Sequence, residues 1–260
     1  MVLEDVAPID PRPWHLLPLA VLDTETTGLA PEQGDCVIEV AVIHFDDGVV
    51  TRRWSTLLDP GIPLHPDVTR LTGITPDDLM NQPSFVDVAD ELLTMLRGRI
   101  LVAYNAPFDR SFLIHEFSRI GKTLPEGAKW LDPLVIARQT QKGQGNMKLG
   151  TVAKRLGVQL DEAHRAQADA ECAGKVLLAL GTTAALPERL EELLDIQERW
   201  EAAQEAERSG WRSRQQQGRG GGNRPLADDG SPRNALGAAY PHGDELDPVR
   251  YMYLRLAGRG

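Results

Sequence analysis

The chain has 260 residues, 42% hydrophobic and 25% charged, with two cysteines and a net charge of −10. Two cysteines exclude a disulfide framework and suit a reducing cytoplasm; the longest apolar runs fall short of the roughly 18 residues that span a bilayer. The charge is uneven, because residues 209–260 hold eight arginines and five acids while residues 1–208 hold 20 basic and 33 acidic residues. A body that acidic meets a polyanion only with bound cations in its site or a local basic rim.

The first 16 residues, beginning MVLEDVAPIDPRPW, are acidic and proline-rich. They read as a leader without the basic start and apolar centre of a signal peptide, so a cytoplasmic location is expected. Leu19–Asp23 is an apolar run ending in an acid, the pattern of a buried central strand. Residues 36–46 and 49–58 are β-branched and aromatic and flank Asp46-Asp47-Gly48, a hairpin signal, so three antiparallel strands are expected. A loop rich in proline and glycine follows, from Pro60 to Gly73. Ser84 precedes Phe85, Val88, Ala89, Leu92 and Leu96 at helical spacing.

A fourth strand, Ile100–Tyr104, leads into a helix over 109–120, and a fifth short strand, 129–132, into a helix over 133–141 with Pro133 in its first turn. Leu149, Val152, Ala153 and Leu156 predict another helix closed by Gly157. A helix with a small-residue face runs from Ala163 to Leu180. This order of elements predicts an α/β domain over residues 17–181. Residues 186–208 read as a charged helix. Residues 209–260 lack apolar anchors over most of their length and read as a disordered tail, though 246–256 (LDPVRYMYLRL) regain hydrophobicity.

Asp23 and Glu25 lie two apart at a strand end, so both carboxylates share a face. Such a pair is either a solvated strand terminus or a hard-metal site, since two adjacent acids repel unless a cation lies between them. Thr24, Thr26 and Gly28 complete a turn whose backbone N–H groups can face a ligand. Asp109 reads either as a helix-start acid that complements the macrodipole or, with strand 4 beside strand 1, as a neighbour of Asp23. His164 and Asp169 are five apart and do not share a helix face; with His164 on a loop and Asp169 in the first turns, the small residues 166, 168 and 170 let the acid approach the sheet. His44, His115, His15 and His242 read as structural or solvated, and His65 as a loop residue within reach of a substrate.

Three runs then stand out together: DTETTGL at 23–29, NAPFD at 105–109 and HRAQAD at 164–169. They resemble the three exonuclease motifs of the DEDDh family, which includes the proofreading epsilon subunit of bacterial DNA polymerase III. The stretch LTGIT at 71–75 is similar to one that family members carry before the first helix. The resemblance implies an RNase H-like exonuclease fold, with a five-stranded mixed sheet flanked by helices, and metal-dependent 3′→5′ hydrolysis of phosphodiesters. It implies two Mg²⁺ or Mn²⁺ ions about 3.5–4 Å apart. Asp23, Glu25 and Asp169 would ligate them, Asp109 would act through water, and His164 would take a proton from the attacking water. The terminal nucleotide would meet the backbone around Thr24–Thr26, with Leu29 or a neighbour against its base.

The implied partners are single-stranded or frayed DNA 3′ ends and no membrane. An RNA substrate, as in oligoribonuclease, is the alternative enzyme reading, and a non-catalytic nucleic-acid-binding module is the alternative of another class. The arginine-containing tail ending in LDPVRYMYLRL has the form of a tethered docking peptide for a DNA polymerase subunit.

Overall fold

The computed structural model describes residues 11–160 and 165–218. Strand β1 (Leu19–Thr26) is apolar on both faces over its first four residues, and it occupies the centre of a five-stranded sheet. β2 (Val37–Asp46) and β3 (Val49–Leu57) extend it as an antiparallel meander. Their turn places Asp47 and Gly48 at φ 51° and 77°, the two left-handed positions of a tight hairpin. β4 (Ile100–Val102) pairs with β1 in parallel and β5 (Trp130–Leu131) pairs with β4 in parallel, giving the order β3-β2-β1-β4-β5. The parallel pairing has a direct consequence: the segments leaving β1 and β4 emerge at the same end of the sheet. The expected mixed five-stranded α/β architecture is the one observed.

The segment between β3 and the first long helix was expected as loop. Part of it is helical: α1 (Pro66–Thr72) and α2 (Pro76–Leu79). Pro66 and Pro76 are helix starts and Gly73, at φ 74°, is a helix stop, so residues that read as breakers mark boundaries. Val68, Ile74 and Leu79 from this segment close a small core over Ile38. α3 (Phe85–Leu96) starts at a Ser84–Asp87 capping box. α4 (Ala106–Arg119), α5 (Pro133–Thr140), α6 (Leu149–Arg155) and α7 (Ala166–Thr183) complete the domain.

Strand alternation sorts these helices into two layers. Leu19, Val21, Ala41 and Ile43 face α5, α6 and α7, whereas Ala20, Leu22, Val40 and Val42 face α3 and α4. α7 lies closest to the sheet because its inner face is small: an added Cβ on Gly174 would sit 2.5 Å from the Phe45 ring and 3.0 Å from Val21. Gly174→Ala is therefore expected to destabilise the fold by about 1–3 kcal/mol through overpacking. A lowered urea midpoint with an unchanged slope checks it.

The charged helix continues further than the sequence suggested, as α8 (Leu190–Gly218). Elongating a formed helix is cheap for Arg and Gln, which fill much of 212–217. α8 is docked along its first half. Leu190 and Leu193 are buried, and Gln197 accepts the Asp132 N–H (2.8 Å) and donates to the Trp130 carbonyl (3.2 Å). One side chain thus satisfies the open edge of β5, which would otherwise leave buried backbone groups unpaired. At the other terminus, buried Trp14 donates its indole N–H to the Pro187 carbonyl (3.0 Å), pinning the leader against the α7–α8 connection. Among the described residues, no helix is long and apolar enough to cross a membrane.

Candidate active site

The common end of β1 and β4 carries the acids singled out by sequence. Asp23 and Glu25 point to the α7 side of the sheet, and Asp169 stands in the first turn of α7. One carboxylate oxygen from each of the three can be chosen so that all lie within 4.8 Å of one another. Burial raises the Asp23 carboxyl well above its ordinary range, and Asp109, Asp169, Glu25 and Glu39 add to that in decreasing order. Negative charge concentrated by burial is what a hard divalent cation relieves, and carboxylate oxygens are its preferred ligands.

Asp109 is held apart from this trio. It lies in the first turn of α4, on the opposite side of the sheet, and is 3% exposed. Thr24, between Asp23 and Glu25 and therefore facing the other way, donates its hydroxyl to Asp109 Oδ1 (2.8 Å). Burial pushes the Asp109 carboxyl up to about 7, opposed by that hydroxyl and by backbone N–H groups. Asp109 is near enough to Asp23 to raise its carboxyl, from the other side of the sheet.

Two further acids that the sequence reading passed over organise the site. Asp132 accepts the N–H groups of Asn105 (3.0 Å), Ala106 (3.0 Å) and Leu134 (2.8 Å). One carboxylate thereby satisfies the starts of α4 and α5 and fixes the turn before Asp109, whose Asn105 adopts the left-handed φ of 74°. Burial raises Asp132 to about 6 against these three donors.

Glu39 stands directly opposite Glu25 in the β1–β2 register and is 3% exposed. It accepts the Ala166 N–H (3.2 Å) and pairs with Arg165 (3.1 Å). It therefore anchors the N-terminus of α7, the turn from which Asp169 projects. The sequence did carry signals for both: an acid inside the apolar run VIEVAVI, and an aspartate immediately before Pro133. Glu39→Gln is expected to lower activity about 10–100-fold, the usual effect of losing support behind a ligand. Steady-state kinetics with a metal titration will show whether apparent metal affinity falls with it.

The binding candidates are placed less uniformly. The Thr26 hydroxyl donates to the Gly28 carbonyl (2.6 Å) and the Thr24 hydroxyl to Asp109, so both hydroxyls are committed internally. A substrate would meet backbone there. Gly28 packs against the Asp35 carboxylate so closely that a Cβ would collide with it. Asp35 in turn accepts the Ala30 N–H (2.9 Å), shaping the loop that presents half-buried Leu29. His164 lies outside the described residues. His65 accepts the Asp67 N–H (3.1 Å) and starts α1; His44 is buried against the Met95 carbonyl (2.8 Å), and burial lowers its pKa.

Comparison with known proteins agrees with this geometry. The RNase T exonuclease family model matches residues 20–177. The 3′-5′ exonuclease DinG of Bacillus subtilis is 33% identical over 160 residues, 62% of this chain and 17% of that protein. The DNA polymerase III epsilon subunit of Treponema pallidum is 37% identical over 163 residues, 62% of this chain and 73% of that one. Among solved structures, exonuclease X in complex with 5′-overhanging duplex DNA superposes with a TM-score of 0.54 at 26% identity, covering 69% of this chain and 99% of that one. The nuclease domain of 3′hExo, a DEDDh family member bound to rAMP, shares the fold with a TM-score of 0.56 at 20% identity over 65% of this chain and 94% of that one. With the matched region running from β1 into α7 and enclosing the motif acids, the chain belongs to the RNase T exonuclease family and shares its fold with a DEDDh member.

Proposed function

We propose that this exonuclease removes nucleotides from the 3′ end of single-stranded or frayed DNA, in proofreading or repair. It would use two Mg²⁺ or Mn²⁺ ions held by Asp23, Glu25 and Asp169. The observation that carries this reading is the mutual approach of those three carboxylates, with the Asp23 carboxyl driven upward by burial and by its acidic neighbours. The donor set is all oxygen, which suits hard divalent ions such as Mg²⁺ and Mn²⁺. Such ions make water nucleophilic near neutral pH and offset charge on the leaving 3′-oxygen. Within the chain, Glu39 and Asp132 set the positions of Asp169 and Asp109, the backbone around Thr24–Thr26 receives the terminal nucleotide, and His164 accepts the proton of the attacking water.

The DNA assignment draws support from the relative named as a DNA polymerase III epsilon subunit. Matched 3′-tailed DNA and RNA oligonucleotides, labelled at the 5′ end and incubated with Mg²⁺ or Mn²⁺, test it. Stepwise shortening of DNA at the higher rate supports the reading; faster shortening of RNA, or release from the 5′ end, overturns it. We further propose that residues 17–181 are the catalytic unit, that the enzyme works in the cytoplasm and that residues 209–260 tether it to a DNA polymerase subunit. Equal recovery of that subunit with and without 209–260 would remove the tether.

The raised carboxyls also set a pH dependence. Asp23 is raised, and Asp109 and Asp132 reach about 7 and about 6, so the folded, metal-free protein binds protons that the unfolded chain has released above about pH 4. More protons bound in the native state means that stability falls as pH rises. Thermal unfolding without metal is expected to move to lower temperature between pH 4 and pH 7. Added Mg²⁺ or Mn²⁺ needs ionised ligands, so its stabilisation should be larger at pH 8 than at pH 5; an equal shift at both would contradict a carboxylate site.

A further inference from the structure

The strand upstream of the 3′ terminus must lie against a body whose charge repels it. One stretch departs from that charge. Residues 133–160 contain Arg138, Lys142, Lys148, Lys154 and Arg155 and no acid, whereas the other 180 residues of 1–208 hold 15 basic and 33 acidic residues. This stretch is α5, the following loop and α6, with residues beyond it.

Its position is tied to the active site at two points. Asp132, which starts α5, also holds the Asn105–Ala106 turn before Asp109. Farther along, the Tyr104 hydroxyl donates to the Met147 carbonyl (2.5 Å), so the loop is fastened to the residue that precedes that turn. Arg155 braces the loop from beneath, donating to the Asn146 carbonyl and lying 3.6 Å from Met147 Sδ. The lysines are left outside. Lys142, Lys148 and Lys154 are exposed, and among the described residues none of them forms an ion pair. Several other cations of the domain are neutralised locally, Arg53 and Lys175 by Glu171, Arg165 by Glu39 and Arg99 by Asp46. Unpaired exposed ammonium groups in an acid-free stretch gain most from contact with phosphates, because binding releases the phosphates' counterions.

We propose that the α5–α6 surface bearing Lys142, Lys148 and Lys154 holds the backbone phosphates of a single strand upstream of the nucleotide being removed. This rests on the exonuclease reading and adds the path of the polymer to it. The contact is with phosphate, so it is indifferent to sequence.

The test replaces all three lysines, Lys142→Gln, Lys148→Gln and Lys154→Gln, in the full chain. A control carries Lys122→Gln and Lys129→Gln, which are paired with Asp90 and Glu191. Two readouts are taken on each. The first is fluorescence anisotropy of a labelled thymidine 20-mer titrated with KCl. Each lost phosphate contact takes about 0.7 from the salt slope on single strands, so the triple variant should lose about 2 and the control nothing. Between 50 and 200 mM salt this amounts to roughly a 20-fold smaller fall in affinity than in the parent protein.

The second is turnover of the same oligonucleotide relative to the p-nitrophenyl ester of thymidine 5′-monophosphate, which has no upstream phosphate. That ratio should drop in the triple variant through KM, not kcat. An unchanged salt slope in the triple variant overturns the surface, and would leave these lysines to a protein partner. Failure of the parent protein to hydrolyse either substrate would instead sink the exonuclease reading, with the anisotropy still deciding the surface.

Discussion

Asp23→Asn will lose 3′→5′ hydrolysis by about 10³-fold or more and will melt at a higher temperature than the parent in the absence of metal. The two effects share one cause. The charge of Asp23 is opposed by its surroundings, through burial and then Asp109, Asp169, Glu25 and Glu39. Removing its charge relieves that repulsion at neutral pH while keeping the shape of the side chain. A gain of about 1 kcal/mol corresponds to about 2–4 °C in a domain of this size. Catalysis would lose one of the three carboxylates proposed to hold the ions, and several kcal/mol of transition-state stabilisation would go with it. Hydrolysis of end-labelled DNA and thermal unfolding with EDTA measure both. A variant that retains activity, or that melts lower without metal, would show that Asp23 belongs to the scaffold. Opposite signs for activity and stability are the mark of a site kept strained for its chemistry.

His164→Ala should slow hydrolysis by about 10²–10⁴-fold, the range over which a positioned general base contributes. The metal sites should survive it, because His164 is expected to move a proton and not to ligate. The metal-induced rise in melting temperature should therefore match that of the parent. The pH profile separates this role from a structural one. In the parent, the acid limb of kcat/KM is expected to carry a group near the ordinary histidine value of about 6.5, and in His164→Ala that limb should flatten or move. Equal profiles with a uniformly lower rate would assign His164 to packing.

Much of the fold could be read locally. The apolar run ending at Asp23, the β-branched and aromatic residues of VIEVAVIHFD, the Asp47-Gly48 turn, and the apolar spacing from Phe85 to Leu96 each specify an element within a single segment. The error between Pro60 and Gly73 was also local: the same residues end helices and begin them, and only packing onto Ile38 selects the helices. The site divides in the same way. Asp23 and Glu25 declare themselves by their two-residue spacing. Asp109 and His164 needed the motif pattern, since each alone reads as structural, whereas Asp169 rested on metal chemistry and motif together.

What the sequence by itself determined is therefore most of the elements, their faces and the acids proposed to ligate metal. Tertiary structure decided how those acids are held and approached. Thr24 meets Asp109 across 85 residues and Glu39 meets Ala166 across 127. Gln197 closes the β5 edge from a helix whose charge pattern gave no sign of it. Contacts of this kind depend on strand register, where a slip of one residue turns every side chain to the opposite face. A local pattern shows which face a residue occupies; only the assembled sheet shows which residue waits there.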